Sequence, residues 1–125
     1  MPQISISIDV SNMEKALSFY ANALACSVQR NGSEISKLST DNVDIFLLEK
    51  ASGSNPLPIG TDSRNYDRHW TPVHLDFSVD NIEQSLIAVL EFGGSHEGSE
   101  SGDWGSIAYC ADPFGNGFCL CQITK

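Results

Sequence analysis

Two stretches of the chain alternate apolar and polar residues. Residues 4–9 carry isoleucine at every second position, and residues 73–78 carry valine, leucine and phenylalanine at every second position. A period of two is typical of a β-strand with one apolar and one polar face. The pattern therefore predicts two half-buried strands, one in each half of the chain.

Each predicted strand is followed by a predicted helix. Asn12 and Asn81 come shortly after the strands, and their short side-chain oxygens suit the cap of a first helical turn. Glu14 and Glu83 follow two residues later, where the helix dipole favours a negative charge. We expect helices over residues 12–25 and 81–92.

The two halves of the chain match in one register. When Val10 is set on Val79, three further pairs coincide: Asn12 with Asn81, Glu14 with Glu83, and Leu17 with Leu86. We infer an internal duplication. Further strands are predicted at residues 26–30, 34–39, 43–49, 95–97, 105–110 and 118–123, with a polar loop at residues 98–103. An Asn-Gly turn at residues 31–32 separates the first two of these strands, which is a strong hairpin signal.

This order predicts an α+β fold made of two βαβββ modules, residues 1–50 and 71–125. Residues 51–70 are rich in glycine, proline, serine and asparagine and have no periodicity, so they are interpreted as a linker. Each half-sheet would keep a polar face once a helix covers its apolar face. Pairing the two halves would then form a cleft.

Length, composition and charge restrict the possible functions. At 125 residues and 13.6 kDa the chain has the size of one domain, and no apolar run approaches the ~18 residues of a membrane span. A net charge of -9 argues against nucleic acid and anionic membranes as partners. No signal peptide is visible, so we expect a cytoplasmic protein whose four cysteines are reduced.

Three segments carry a family resemblance: DVSNMEKALSFYANAL at residues 9–24, VHLDFSVDN at residues 73–81, and the closing ADPFGNGFCLCQ at residues 111–122. With them the chain resembles the vicinal oxygen chelate superfamily, which includes glyoxalase I, extradiol dioxygenases and the fosfomycin- and bleomycin-resistance proteins. The closing segment is the most specific, because Asp-Pro-x-Gly-Asn before the last strand is a habitual ending of the family's second module. The resemblance implies a curved mixed sheet around a cleft and a homodimer.

The resemblance also implies positions for metal ligands. Metal-dependent members take one ligand from the first and one from the last strand of each module, typically two histidines and two glutamates. The matching positions in this chain are Ser5, Phe46, His74 and Cys119. Of these, only His74 keeps the family's residue type. Cys119 could bind zinc as a thiolate, but two protein ligands fall short of the three that catalytic zinc keeps. We therefore predict no metal cofactor, and a divalent ion at His74 and Cys119 stays the alternative.

The strongest candidates for chemistry are His74 and Asp76, which share the polar face of the fifth strand. Histidine titrates near neutral pH, so the pair could bind or protonate an oxygen-bearing ligand. The alternative is a hydrogen-bonded histidine in the cleft wall without chemistry. Ser5 and Ser7 occupy the polar face of the first strand and are candidate ligand contacts, against the plainer interpretation of ordinary strand alternation.

Four further residues are predicted to bind the ligand in the cleft or at its mouth. Phe46 would fill a ligand position with apolar bulk, and Cys119 would lie beside His74, although paired cysteines in a strand most often fill a core. Arg68 suits a carboxylate or phosphate, and Trp70 suits a flat ligand. For both, a solvated linker is the plainer interpretation.

The leading hypothesis is a metal-independent member that binds a small organic molecule in the cleft; whether it is an enzyme stays open. One alternative is a metal-dependent lyase or isomerase of glyoxalase I type, or a dioxygenase, in which a divalent ion stabilises an enediolate. Another is a resistance protein that sequesters a drug at a dimer interface. A mostly aromatic cleft would favour sequestration, and convergent polar groups near His74 would favour chemistry.

Overall fold

The computed structural model describes residues 1–124, which form two helices and eight strands. Their bounds are β1 Ser5–Val10, α1 Met13–Asn22, β2 Ser27–Arg30, β3 Ile35–Ser39, β4 Asp44–Glu49, β5 Leu75–Ser78, α2 Ile82–Glu91, β6 Ser95–Gly102, β7 Gly105–Ala111 and β8 Gly117–Ile123. A strand, a helix and three strands thus occur twice in the same order. The predicted α+β fold of two βαβββ modules is confirmed.

Each module builds its own four-stranded mixed sheet. Sheet A has the strand order β1-β4-β3-β2, and sheet B has the order β5-β8-β7-β6. The first and last strands of each module are parallel, β1 with β4 and β5 with β8, and the other pairs are antiparallel. Within residues 1–124, β1 and β5 are therefore edge strands with one side unpaired.

The two helices begin with the predicted caps. The side chain of Asn12 accepts a hydrogen bond from the Lys15 backbone N–H at 2.9 Å, and the side chain of Asn81 accepts one from the Gln84 N–H at 3.0 Å. Glu14 and Glu83 lie in the first turns, as expected. Such a cap contributes about 1 kcal/mol to helix stability.

A second contact repeats between the modules and fixes how their last strands correspond. Glu49 at the end of β4 accepts the N–H of Met13 through Oε2 at 2.9 Å, and Gln122 in β8 accepts the N–H of Ile82 through Oε1 at 2.8 Å. Each side chain satisfies an N–H that the first turn of a helix leaves free. Glu49 and Gln122 are therefore equivalent positions.

The hydrophobic core joins the two modules. Phe19 and Tyr20 of α1 are 0% and 2% exposed, and the Phe19 ring contacts Phe118 of β8 edge-on with centroids 6.0 Å apart. The Tyr20 hydroxyl donates to Oδ2 of buried Asp112 at 2.6 Å. Burial, and then the charge of Asp112, raise the pKa of Tyr20 well above its usual value. The helix of the first module thus holds the β7–β8 turn of the second.

Three predicted boundaries are wrong. Helix α1 ends at Asn22, three residues earlier than predicted. The fifth strand begins at Leu75, two residues later than predicted, so His74 directly precedes it. The sixth strand runs through Gly102, so residues 98–102 are not a loop. It pairs with β7 from Ser95 to Gly102, with a register shift between His96 and Gly98, and this pairing makes a strand of a sequence whose polar pattern does not predict one.

No helix within residues 1–124 is long and apolar enough to cross a membrane.

Candidate functional site

The site residues are set by the register of β5 against β8. Asp76 pairs with Cys119, and Ser78 pairs with Cys121. Because alternate residues share a face, Asp76 and Cys119 lie on the same side of sheet B as His74, which comes two residues before Asp76. The face of sheet B that carries these three residues is its polar face.

Three side chains converge at this face, and they are called the trio below: His74, Asp76 and Cys119. His74 Nδ1 lies 2.9 Å from Asp76 Oδ1 and 3.7 Å from Cys119 Sγ. The three ligand atoms all lie within 4.8 Å of one another. The side chains of His74 and Asp76 are about half exposed, at 47% and 53%, while Cys119 is buried beneath them. The predicted pair of His74 with Asp76 and the predicted neighbourhood of His74 and Cys119 both form.

The trio does not form a nucleophile–base–acid relay. Such a relay places the imidazole between the thiol and the carboxylate, with one ring nitrogen for each. Here both partners contact the same atom, Nδ1 of His74. Burial, followed by the charge and the hydrogen bond of Asp76, raises the pKa of the Cys119 thiol to about 12, so the metal-free thiol is protonated at neutral pH.

The first module has no comparable cluster at the equivalent positions. Ser7 pairs with Phe46 in sheet A as Asp76 pairs with Cys119 in sheet B, and Ser5 corresponds to His74. Ser5 and Ser7 are exposed, and Phe46 is half-buried. Among residues 1–124, no hydrogen bond joins either serine to the trio. Their roles, and that of Phe46, as ligand contacts stay predictions.

The metal set that the resemblance implies does not fit these residues. Phe46 has no donor atom, and the hydroxyl of Ser5 is a weak ligand for a divalent ion. The structure instead adds a third donor on the side of the second module, Asp76, which the projection of ligand positions did not include.

The closing turn brings the linker against sheet B. Asp112 Oδ1 accepts the backbone N–H groups of Phe114 and Asn116, at 2.8 and 2.9 Å. Gly115 has a φ of 80°, and a Cβ there would lie 2.8 Å from the carbonyl oxygen of Tyr66. The Asp-Pro-x-Gly-Asn segment is thus a turn that allows close approach of the linker.

Arg68 lies over the polar face of sheet B, held by an ion pair. A Cβ on Gly117 would come within 2.7 Å of Arg68 Nη2, so the guanidinium occupies the space above Gly117, which is two residues before Cys119. Glu97 binds this guanidinium in a bidentate manner, with Nε–Oε2 at 2.6 Å and Nη2–Oε1 at 2.9 Å. The hydrogen bond from Arg68 lowers the pKa of Glu97. Trp70 is 78% exposed. Ligand binding by Arg68 and Trp70 stays a prediction.

A cavity of about 730 Å³ lies along the unpaired edge of β5. Its lining comes from both modules: Ile6, Leu24, Ala25, Ser27, Ser39, residues 40–43, Ile45 and Leu75–Ser78. Of the candidate residues named from the sequence, Asp76 is the one that lines it within residues 1–124. Asp76 is therefore shared by the trio and the cavity.

Sequence reasoning missed most of this cavity. The strands predicted at residues 34–39 and 43–49 leave a short connection between them, but nothing in its sequence indicates a place beside β5. Arg64 was also missed; its Nε binds Asp9 Oδ2 at 2.7 Å and fastens the linker to β1. The signal available for Arg64 was only that of a cation in a long linker, which is too weak to identify a partner.

Comparison with known proteins identifies one family and several solved structures with the same fold. The family model described as a glyoxalase-like domain matches residues 5–121. No curated protein matches the sequence. Among solved structures, a glyoxalase-related enzyme from Fulvimarina pelagi aligns with a TM-score of 0.74 at 13% identity, over 98% of this chain and 88% of the other.

Two further structures share the fold. The fosfomycin resistance protein FosX from Listeria monocytogenes has a TM-score of 0.74 at 16% identity, over 99% of this chain and 94% of the other. A lactoylglutathione lyase from Agrobacterium tumefaciens has a TM-score of 0.64 at 14% identity, over 98% and 94%. At these identities the likeness concerns the fold.

Proposed function

The chain belongs to the glyoxalase-like domain family of the vicinal oxygen chelate superfamily, and on that premise we propose that it binds a small, oxygen-bearing organic molecule at the edge of its second module. The ligand lies in the cavity beside β5 and reaches the polar face of sheet B. His74 and Asp76 are the groups that act on it.

One observation carries this proposal: Asp76 both lines the cavity and contacts His74. A molecule in the cavity can donate a hydroxyl or amine hydrogen to the Asp76 carboxylate. Nδ1 of the His74 imidazole lies 2.9 Å from Oδ1 of the same carboxylate. A bound ligand would therefore meet an acceptor and a group able to exchange a proton.

The size of the cavity supports a small-molecule ligand. Its volume of about 730 Å³ falls within the ~300–1,000 Å³ that is usual for such sites. Phe77 is the one aromatic residue in its lining, and most of the remaining side chains are polar or small. This composition favours specific polar recognition over sequestration of a flat drug.

The predicted metal independence was founded on two donors, His74 and Cys119. The absence of the family's ligand types at Ser5 and Phe46 supports independence from the family's four-ligand arrangement. That absence does not bear on the trio, in which Asp76 adds a third possible ligand to His74 and Cys119. The ligand proposal holds for either state of the trio, since the cavity contact is made by Asp76.

The test is a thermal-shift screen with a panel of hydroxy acids, oxo acids and diols. A ligand present at 100 times its Kd adds about 2.7 kcal/mol to the free energy of unfolding, which raises Tm by several degrees. We expect His74→Ala to weaken binding of such a ligand at least tenfold, about 1.4 kcal/mol. Asp76→Asn should weaken it as well, because one of the two acceptor oxygens of the carboxylate is replaced by an NH2 group, which donates.

The matched control is Asp80→Asn, which removes an exposed carboxylate just after β5 that does not line the cavity. It should leave the ligand's Kd unchanged. A ligand that binds the wild type, His74→Ala and Asp76→Asn with equal Kd would remove the pair from the site.

A further inference from the structure

We propose that the trio of His74, Asp76 and Cys119 binds a single thiophilic divalent cation, with zinc as the expected ion. All three donors come from the second module. The site therefore differs from the arrangement implied by the resemblance, which takes half of its ligands from the first module.

The distances suit a tetrahedral ion. With bonds of 2.0–2.3 Å from zinc to nitrogen, oxygen and sulfur, ligand atoms stand about 3.4–3.6 Å apart. His74 Nδ1 and Cys119 Sγ are 3.7 Å apart. His74 Nδ1 and Asp76 Oδ1 are 2.9 Å apart, a hydrogen-bond distance that must widen by about 0.5 Å to admit the ion. Since both side chains are about half exposed, this adjustment is sterically open to them.

Two donor atoms approach the same ring nitrogen of His74. This distinguishes a metal site from a histidine that is only hydrogen-bonded. A histidine held only by Asp76 needs no sulfur on the same side of the ring. Here the carboxylate and the sulfur approach the same atom, Nδ1, from two strands that pair in parallel. An ion bound there would take the place of the hydrogen between His74 Nδ1 and Asp76, and the thiol proton of Cys119 would be released to solvent.

The donor types select the ion. A thiolate, an imidazole and a carboxylate together suit zinc, whereas magnesium, calcium and manganese prefer oxygen ligands. Three protein donors are the number that catalytic zinc keeps, with a fourth position for water or substrate. Cys119 is buried below the site, so the open position faces the exposed side of His74 and Asp76.

Asp76 also lines the cavity, so the open coordination position lies next to the proposed ligand. An ion there would attract a ligand that offers one or two oxygen atoms. This use of the ion rests on the proposed function, but ion binding itself does not and can be measured without any organic ligand.

The experiment titrates the chelator-stripped full chain with Co²⁺ alone and records its absorption spectrum. We expect saturation at one equivalent, with the visible bands of tetrahedral cobalt and a near-ultraviolet band from thiolate-to-cobalt charge transfer. Zn²⁺ should then displace cobalt and abolish both bands. Elemental analysis after dialysis against zinc should find one ion per chain.

The variants identify the ligands. Cys119→Ser should lose the charge-transfer band, while His74→Ala and Asp76→Asn should weaken Co²⁺ binding at least tenfold. Cys121→Ser is the matched control, because Cys121 lies on the same face of β8 two residues further on and is outside the trio. It should keep both bands and the same Kd. Should the buried Cys119→Ser variant fail to fold, the two exposed positions decide the question.

Folded wild-type protein that takes up neither cobalt nor zinc would overturn the proposal. So would equal loss of the charge-transfer band in Cys119→Ser and Cys121→Ser, or full cobalt affinity in His74→Ala and Asp76→Asn. The ligand screen is run in parallel with chelator and with zinc. A ligand that binds in chelator while cobalt does not bind would remove the metal site and leave the proposed function standing.

Discussion

The two modules share a chain order but divide the work of the molecule between them. In the first, helix α1 buries four residues, Met13, Ala16, Phe19 and Tyr20, and the positions equivalent to the trio hold Ser5, Ser7 and Phe46. In the second, helix α2 buries only Val89 within the described chain, and the trio stands on the polar face of its sheet. The repeated unit thus has the more deeply buried helix in the first module and the cluster of donor atoms in the second.

The exposed side of α2 deepens this contrast. Ile87 and Leu90 are 66% and 54% exposed, although both are large and apolar. The equivalent positions in α1 are Ser18 and Ala21, which are small. The homodimer that the resemblance implies stays a prediction, and α2 is where apolar surface would be available to it.

The largest expected effect separates the two helices by stability. Phe19→Ala should lower the free energy of unfolding by about 3–5 kcal/mol, because it leaves a cavity where α1 meets Phe118. Ile87→Ala on α2 should change it by no more than about 0.5 kcal/mol, because Ile87 is mostly in solvent. Urea unfolding of both variants, with slopes compared to the wild type, measures the two values. Similar losses in the two variants would mean that the helices contribute alike.

Much of the two-module fold could be predicted from the sequence. The period of two, the caps at Asn12 and Asn81 and the shared register are local signals, and local signals survive folding because tertiary contacts reinforce them. The prediction for β6 was too short because a local signal is missing there. Its sequence SHEGSESG has no apolar alternation, and only its pairing with β7 makes it a strand.

The site was only half predictable. His74 directly precedes β5 and Asp76 lies two residues later, so the period of two along extended backbone puts their side chains on one face. The meeting of Asp76 with Cys119 depends on the register of two strands far apart in the chain, and neither strand's pattern contains that register. The cavity depends further on how two sheets lie beside each other, which no single segment encodes.

The second prediction concerns the joint between the modules. Asp112 is 4% exposed and accepts from the Tyr20 hydroxyl, two backbone N–H groups and the Asn116 side chain. Asp112→Ala should cost about 2–3 kcal/mol, since buried donors lose their acceptor. Tyr20→Phe, which removes one of these donors and leaves the turn intact, should cost about 1 kcal/mol.

Urea unfolding again gives both values. The difference between them measures what the bonds within the turn contribute beyond the Tyr20–Asp112 bond. Equal costs for Asp112→Ala and Tyr20→Phe would show that the Tyr20 bond alone holds the joint. In that case the turn would be a passive consequence of α1 packing and not a second anchor between the modules.

The smallest expected effect tests the linker's attachment to the second module. Arg68 lowers the pKa of Glu97, so the ion pair contributes stability above the unfolded pKa of glutamate, about 4.3, and loses it as the pH falls through the lower folded pKa. Because both side chains are about one third exposed, the pair contributes no more than about 1 kcal/mol to the free energy of unfolding.

Glu97→Gln should therefore lower the free energy of unfolding by up to that amount at pH ~7. As the pH falls through the lowered pKa of Glu97, wild type and variant should converge. Glu91→Gln, which changes an exposed carboxylate of α2, is the control and should show no such pH dependence. A Glu97→Gln deficit that stays constant as the pH falls from ~7 until Glu97 is protonated would mean that packing of the linker over Gly117, and not the charge pair, attaches it to the sheet.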